Sequence, residues 1–295
     1  YTNLINIMQK PKELIILHRI EHKRIAACHK PGRYAHQTGK EMMKTLIYPV
    51  SFLLLVFSLS MPSKGQALMD LETGLVFTGY NDVRIPGDEG TLFSLKDDLK
   101  SEPAFFYRFR LDYTLGSRHT LSLLYAPLET NPEGSVSRDL FFEGVLFPAN
   151  TQLEGTYVFN SYRLTYRYKI VKNPGFEFGL GFTAKIRDAK IAISSPGLAS
   201  EKTNVGFVPV INFRLLWNID DAFGLLLYGD ALAAPQGRAE DVLIAATYEL
   251  SDDFGIRAGY RILEGGADND EVYSFSLFHY ASVGMTYTFI KEKNE

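Results

Sequence analysis

The chain has 295 residues, one cysteine, and a content that is 46% hydrophobic, 13% aromatic and 22% charged, a mixture that excludes intrinsic disorder, collagen-like repeats and disulfide scaffolds. Residues 1–65 carry ten Lys/Arg against three Asp/Glu, so the remaining 230 carry 21 against 31, a net charge of −10 that disfavours nucleic acid as the partner of the main body. Cys28 and four of the six histidines (His18, His22, His29 and His36) fall in the basic leader, leaving the body only His119 and His279. With no thiol in the body and so few ligands, neither a metal site nor a cofactor is expected.

In chain order, residues 1–41 show no turn-bounded strand pattern and no sustained amphipathic period, and read as a leader upstream of a second start. At Met42-Met43-Lys44 the character changes. A short positive start precedes an apolar run over 46–61, which falls short of the roughly 20 residues of a membrane-spanning helix but has the form of a secretory signal core. Gly65 and Ala67 then supply small residues at the −3 and −1 positions of a cleavage site. The expected organisation is a signal peptide over 42–67, a body over 68–289 and a polar tail over 290–295.

The body has a period of two. Over 159–170, Tyr162, Leu164, Tyr166, Tyr168 and Ile170 alternate with Ser161, Arg163, Thr165, Arg167 and Lys169, a half-apolar strand pattern. Tight connections are predicted at Gly116-Ser117, Asn173-Pro174-Gly175, Asp220-Asp221 and Ser251-Asp252-Asp253. Long polar ones are predicted at 82–102, 128–155, 194–204, 233–240 and 264–271. Strict alternation of long and short connections joins ten strands with both chain ends on the short-turn side, the layout of a membrane barrel. The strand-like stretch 139–147 is expected as a hairpin extension inside the second loop, because counting it as a spanning strand would break this parity.

Which solvent each face meets follows from the side chains. Apolar rows recur, such as Phe105, Tyr107, Phe109, Leu111 and Tyr113, or Phe207, Pro209, Ile211, Phe213, Leu215 and Trp217. Near the tight turns they end in aromatics, among them Tyr113, Tyr168, Trp217, Phe223 and Tyr248, as an interfacial girdle would. The opposite faces carry long charged side chains in mid-strand, which a dry soluble core rarely accepts. The predicted fold is therefore all-β: an antiparallel up-and-down transmembrane barrel of about ten strands, preceded by a signal peptide. A soluble periplasmic ligand-binding barrel, with the faces inverted, is the competing architecture.

The predicted lumen receives Arg108, Arg110, Asp112, Arg163, Arg167, Lys185, Arg187, Arg214, Glu249, Arg257 and Arg261, together with Glu72, Lys169, Glu177 and Asp230, or ten basic groups against five acidic. One reading is an interlocked ladder of ion pairs that fills the barrel. The other is a narrow water path lined by Arg163, Arg167, Lys185, Arg187 and Arg214, preferring anions.

The last strand runs Ser282-Val283-Gly284-Met285-Thr286-Tyr287-Thr288-Phe289. Its Ser282, Gly284, Tyr287 and Phe289 resemble the C-terminal assembly signal of Gram-negative outer-membrane proteins, and residues 68–289 resemble the small outer-membrane β-barrel proteins in architecture. The resemblance implies a location in the bacterial outer membrane, surrounding outer-membrane lipid, and recognition of the last strand by the barrel assembly machinery. Residues 290–295 depart from it by continuing past the usual terminal Phe. Enzymes on such barrels have side-chain requirements that this sequence does not match. Omptin-like proteases place carboxylates and an Asp-His couple at the loop end, whereas Asp220-Asp221, Asp252-Asp253 and His119 lie at tight turns. Lipid A deacylases pair a His with a Ser two residues on, but His279 has Ala281 there, and Ser282 falls on the other face. The expectation is a non-enzymatic barrel with a structural, adhesive or narrow-channel role, a deacylase-like enzyme acting on envelope lipid being the alternative.

Overall fold

The computed structural model describes residues 65–234 and 237–290. The leader, residues 42–64 of the expected signal peptide and residues 291–295 of the tail lie outside the described residues. Among those described there is no helix, and the strands are β1 (Gly65–Arg84), β2 (Phe93–Ser94), β3 (Ala104–Leu115), β4 (His119–Ala126), β5 (Glu129–Thr130), β6 (Glu133–Ser135), β7 (Leu140–Phe142), β8 (Val145–Phe147), β9 (Gln152–Asn173), β10 (Phe176–Ser195), β11 (Leu198–Asn218), β12 (Phe223–Ala234), β13 (Gly237–Glu249), β14 (Phe254–Asp268) and β15 (Tyr273–Ile290).

Ten of these strands close on themselves in the order β9, β10, β11, β12, β13, β14, β15, β1, β3, β4 and back to β9, every pair antiparallel. The all-β, ten-stranded barrel read from the sequence is thus the fold. Closure is what a chain of this composition needs, because outward rows of apolar side chains leave no water to satisfy a free sheet edge. Along β9 the alternation is direct: Tyr162, Leu164, Tyr166 and Tyr168 are exposed on the outer wall while Ser161, Arg163, Thr165 and Arg167 are buried inside. Gly65, Gln66 and Ala67 form the tip of β1 against Leu115, Thr114 and Tyr113, so cleavage after Ala67 would leave the ladder intact from Leu68 onward.

The tight connections have the chemistry that turns require. Gly116 and Ser117 both take positive φ, 54° and 60°, the backbone of a two-residue hairpin whose twist matches its strands. At the β11–β12 turn the Asp220 carboxylate accepts the backbone N–H groups of Ala222 and Phe223 at 2.8 and 2.7 Å.

At the other end the structure differs from the expected loops. Residues 194–204 are not a loop: β10 and β11 stay in register as far as Ser195 and Leu198. Residues 264–268 likewise continue β14. The stretch 194–204 reads as a loop because its outward positions, including Glu201 and Thr203, are polar and exposed, although the inward Ile191 and Ile193 just before it keep the period and are buried.

The hairpin expected at 139–147 is present as β7–β8, turning through Glu143 and Gly144 at φ of 43° and 79°. It is folded inward instead of extending into solvent. Leu140, Phe142 and Phe147 are fully buried against Ile85, Phe93, Leu95, Leu99, Leu128, Leu153 and Phe278, with Phe93 and Phe142 meeting edge-on at 6.0 Å between ring centres. The loops at 85–103 and 127–151 thus form an apolar cap in the mouth of the barrel. Arg138 clasps the two loops, donating to the Asp98 carboxylate at 2.8 Å and to the Leu92 carbonyl at 3.0 Å.

Two outcomes follow from the cap. Phe142→Ala removes a fully buried ring and should cost about 3–5 kcal/mol, measured as a lower urea midpoint in lipid bilayers and as new protease cleavage within 127–151; an unchanged midpoint would mean the hairpin is not docked. The Arg138 hydrogen bond, aided by the Ser94 N–H, holds the Asp98 carboxyl below the usual carboxylate range. The clasp is therefore complete above that range and is lost as pH falls through the depressed value. Carboxyl-carbon NMR should give Asp98 a midpoint below the usual range, and Asp98→Asn should loosen the loop at neutral pH.

Candidate functional site

Midway along the lumen, nine of the ten wall strands, all but β4, contribute to one hydrogen-bonded layer. Its first hub is Asp241 on β13. One carboxylate oxygen accepts Arg108 at 2.8 Å and Arg163 at 2.6 Å, and the other accepts Arg261. The second is Glu72 on β1, held side-on by Arg261 through Nε at 2.8 Å and Nη2 at 2.7 Å. Arg257 at 3.1 Å and the Ser282 hydroxyl at 2.9 Å complete its shell. Asp230 on β12 accepts Arg163, Thr183 and Asn212 at 2.7, 2.7 and 2.8 Å. Asp70 meets Arg257 at 2.8 Å and Arg110 at 3.6 Å, and Asp112 meets Arg167 at 3.7 Å. The Arg110 and Arg167 guanidiniums lie over the Tyr228 ring at 4.1 and 5.4 Å from its centre, where the ring face attracts both cations.

Of the residues predicted to line the lumen, Arg108, Arg110, Asp112, Arg163, Arg167, Arg257 and Arg261 come together in this layer. So do Glu72 and Asp230, whereas Lys169, Glu177, Lys185, Arg187, Arg214 and Glu249 do not join it. Arg214 joins Glu177 and Lys169 in a separate cluster nearer the tight turns, at 3.3 and 3.1 Å. Glu249 is exposed at that end, and Arg187 donates to Asn204 toward the loop end. Lys185 lies level with the layer and is only 4% exposed, yet its ammonium meets no carboxylate and instead sits 4.8 Å over the Phe159 ring. Two acids of the layer, Asp70 and Asp241, and the neutral Thr183 and Asn212 are absent from the predicted set. Parity was the signal that could have found the two acids: Asp70 shares the face of Glu72, and Asp241 lies opposite Val242 and Ile244. Both lie at predicted boundaries: Asp241 follows the predicted loop 233–240, which the structure reduces to the connection between Ala234 of β12 and Gly237 of β13, and Asp70 follows the predicted start at Leu68.

The predicted closing-strand residues divide between the two faces. Ser282 points inward to Glu72, and Tyr287 and Phe289 stand exposed outside. At Gly284 an added Cβ would fall 2.7 Å from the Arg257 guanidinium carbon, so the absent side chain is the space that Arg257 occupies between Asp70 and Glu72. Among the predicted girdle residues, Tyr168, Trp217 and Phe223 are exposed on the outer wall, and Phe223 packs on Tyr248 at 4.7 Å. Tyr113 shares the outward parity but is buried, its ring lying against Gly65.

The possible catalytic groups do not assemble. His119 is bonded to the Tyr166 hydroxyl at 2.8 Å on the outer wall near a tight turn. His279 meets the Tyr260 hydroxyl outside the barrel while Ser282 faces in. No group of three or more metal-ligating side chains is found among the described residues.

The closed ten-stranded wall, with its apolar exterior and charged interior, defines a barrel of the outer-membrane class. The fold is similar to that of the outer membrane protease OmpT from Escherichia coli, with a TM-score of 0.50 at 11% identity, covering 76% of this chain and 97% of that one. Lower scores relate it to the translocator domain of autotransporter NalP from Neisseria meningitidis (0.41, 12% identity, 85% and 98% covered) and to Ail of Yersinia pestis in complex with the heparin analogue sucrose octasulfate (0.36, 12% identity, 76% and 99% covered). No family model and no curated sequence matches the chain.

Asp241→Asn leaves Arg108, Arg163 and Arg261 sharing one neutral acceptor and should destabilise the barrel by about 3–5 kcal/mol. The check is the unfolding midpoint in bilayers. A midpoint within error of the parent would mean the layer is hydrated enough to need no counter-charge.

Proposed function

We propose that the protein is a non-enzymatic outer-membrane barrel with a closed lumen, acting as a structural or ligand-holding element of the envelope and not as a channel. The observation that carries this reading is the stack of two seals inside one wall. The Arg–carboxylate layer fills the middle, and the apolar cap of Leu95, Leu99, Leu140, Phe142 and Phe147 fills the loop end. An anion path along Arg163 and Arg167 would have to break bonds that both arginines already make with Asp230, Asp241, Asp112 and Asn212. Buried guanidiniums so engaged are poor binding stations, because leaving their carboxylates is costly.

The loop end favours a binding role over a purely structural one. Its loops are held in one arrangement by the cap and the Arg138 clasp, and a preorganised surface loses less entropy on association. Outer-membrane lipid and the barrel assembly machinery, which would read Tyr287 and Phe289, are the proposed partners. Planar-bilayer recording of the purified barrel should give no unitary steps. Removing the cap segment 139–147 should still give none, because the ion-pair layer remains; steady conductance in either protein would overturn the closed reading.

A further inference from the structure

One stretch of the wall is incomplete. β11 runs from Leu198 to Asn218, but its ladder with β12 covers only Ile211 to Asn218. From Val210 back to Leu198, β11 is paired with β10 alone. β12 is shorter and ends at Ala234, its last residues pairing only with β13. Pro209 stands just past the last rung, where a residue without an N–H leaves no donor facing hydrocarbon.

The height of this gap follows from strand geometry. A strand tilted as in such barrels climbs roughly 2.5 Å per residue along the membrane normal, so an apolar band of about 25 Å takes about ten residues. On β11 that band runs from Trp217 to Phe207, and the gap opens above Ile211. Its lower part therefore faces the loop-side half of the bilayer. Behind it lies a cavity of ≈ 520 Å³, within the ~300–1,000 Å³ range of small-molecule sites. Phe207 and Pro209 line it on one side of the gap and Leu232 on the other, with Phe159 further in.

The polar lining of the cavity is basic on balance, five Lys/Arg against Glu264 and Glu271, and Glu264 is already engaged by Arg238. Lys185 pairs in register with Val208, one strand from the gap, and lines the cavity together with Arg187. Among the described residues neither has a carboxylate partner. Lys185 has only the Phe159 ring and Arg187 only Asn204. The neighbouring layer cannot neutralise them, since its six buried arginines, Arg108, Arg110, Arg163, Arg167, Arg257 and Arg261, already outnumber its five acids Asp70, Glu72, Asp112, Asp230 and Asp241. A buried ammonium without a counter-charge is costly, and the open side of this one is the cavity.

We infer that this cavity binds a single-chain amphiphile with an anionic head, drawn sideways from the bilayer through the β11–β12 gap. The head sits on Lys185 and Arg187, and the alkyl chain leaves over Leu232, Pro209 and Phe207. The inference rests on the membrane-spanning, closed-lumen reading above and adds the ligand class.

The test uses a diazirine analogue of palmitate with the folded barrel in zwitterionic phospholipid vesicles, followed by peptide mapping. Labelling should concentrate on 205–211 and 228–234. Excess palmitate or hexadecyl phosphate should suppress it, their relative strength identifying the head group, whereas hexadecanol and inorganic phosphate should not. Lys185→Met should reduce the label by roughly tenfold or more, as expected for loss of a buried charge-assisted bond, while Lys172→Met near the tight turns leaves it unchanged. Label spread evenly around the wall, undiminished label in Lys185→Met, or equal competition by hexadecanol would each overturn the site. Heat-modifiability on a gel of the same samples separates these outcomes from failure of the barrel itself, which would abolish the mobility shift.

Discussion

The fold depends on one carboxylate more than on any other group. Asp241 binds Arg108, Arg163 and Arg261 from three different strands, and through Arg261 it is tied to Glu72 on a fourth. A barrel wall of outward apolar rows is stabilised by lipid only on its outside; inside, ten strands of this composition enclose long basic side chains that need acceptors. The layer solves both needs, cross-linking opposite walls while neutralising most of the charge. Because Asp241, Glu72 and Asp70 each hold two or more arginines, removing one acid loosens several cations at once, which makes the arrangement specific to one register.

That register was largely legible in the sequence. The period of two along β9, the parity of long and short connections, and the aromatic ends of the apolar rows together gave the strand number, the closure and the face that meets lipid. What escaped reading were features set by contacts distant in sequence. Leu95, Leu99, Leu140 and Phe142 sit in stretches whose composition is polar overall, and nothing local says that they converge in the barrel mouth. Asp241 and Asp70 obeyed the parity rule but lay next to assigned boundaries. Lys185 and Arg187 looked like further rungs of the ladder, and only the pairing on β10 and β11 separates them from it.

The vertical order of the lumen has functional meaning. From the tight-turn end upward it runs through a Lys169–Glu177–Arg214 cluster, the central layer, and then an apolar cap beside a cationic cavity. Transit along the axis would meet both seals, whereas access from the side meets only the short gap left where β11 outruns β12. On the proposed reading, the mismatch in strand length between β11 and β12 lets the interior meet the bilayer without opening a pore. Gly284 and Ser282 show a related economy: the closing strand that resembles an assembly signal also gives Arg257 its space and Glu72 a donor.

The central claim is that the wall faces lipid outside and a filled, sealed lumen inside. Spin labels placed singly at positions 242 to 246 of β13, in a Cys28→Ser background and in reconstituted vesicles, test it most directly. Val242, Ile244 and Ala246 should collide freely with oxygen dissolved in the bilayer and little with a water-soluble nickel chelate, while Leu243 and Ala245 should be shielded from both. Nickel collisions at Leu243 and Ala245 would mean a water-filled pore, and nickel collisions at Val242, Ile244 and Ala246 would mean that the barrel does not sit in a membrane.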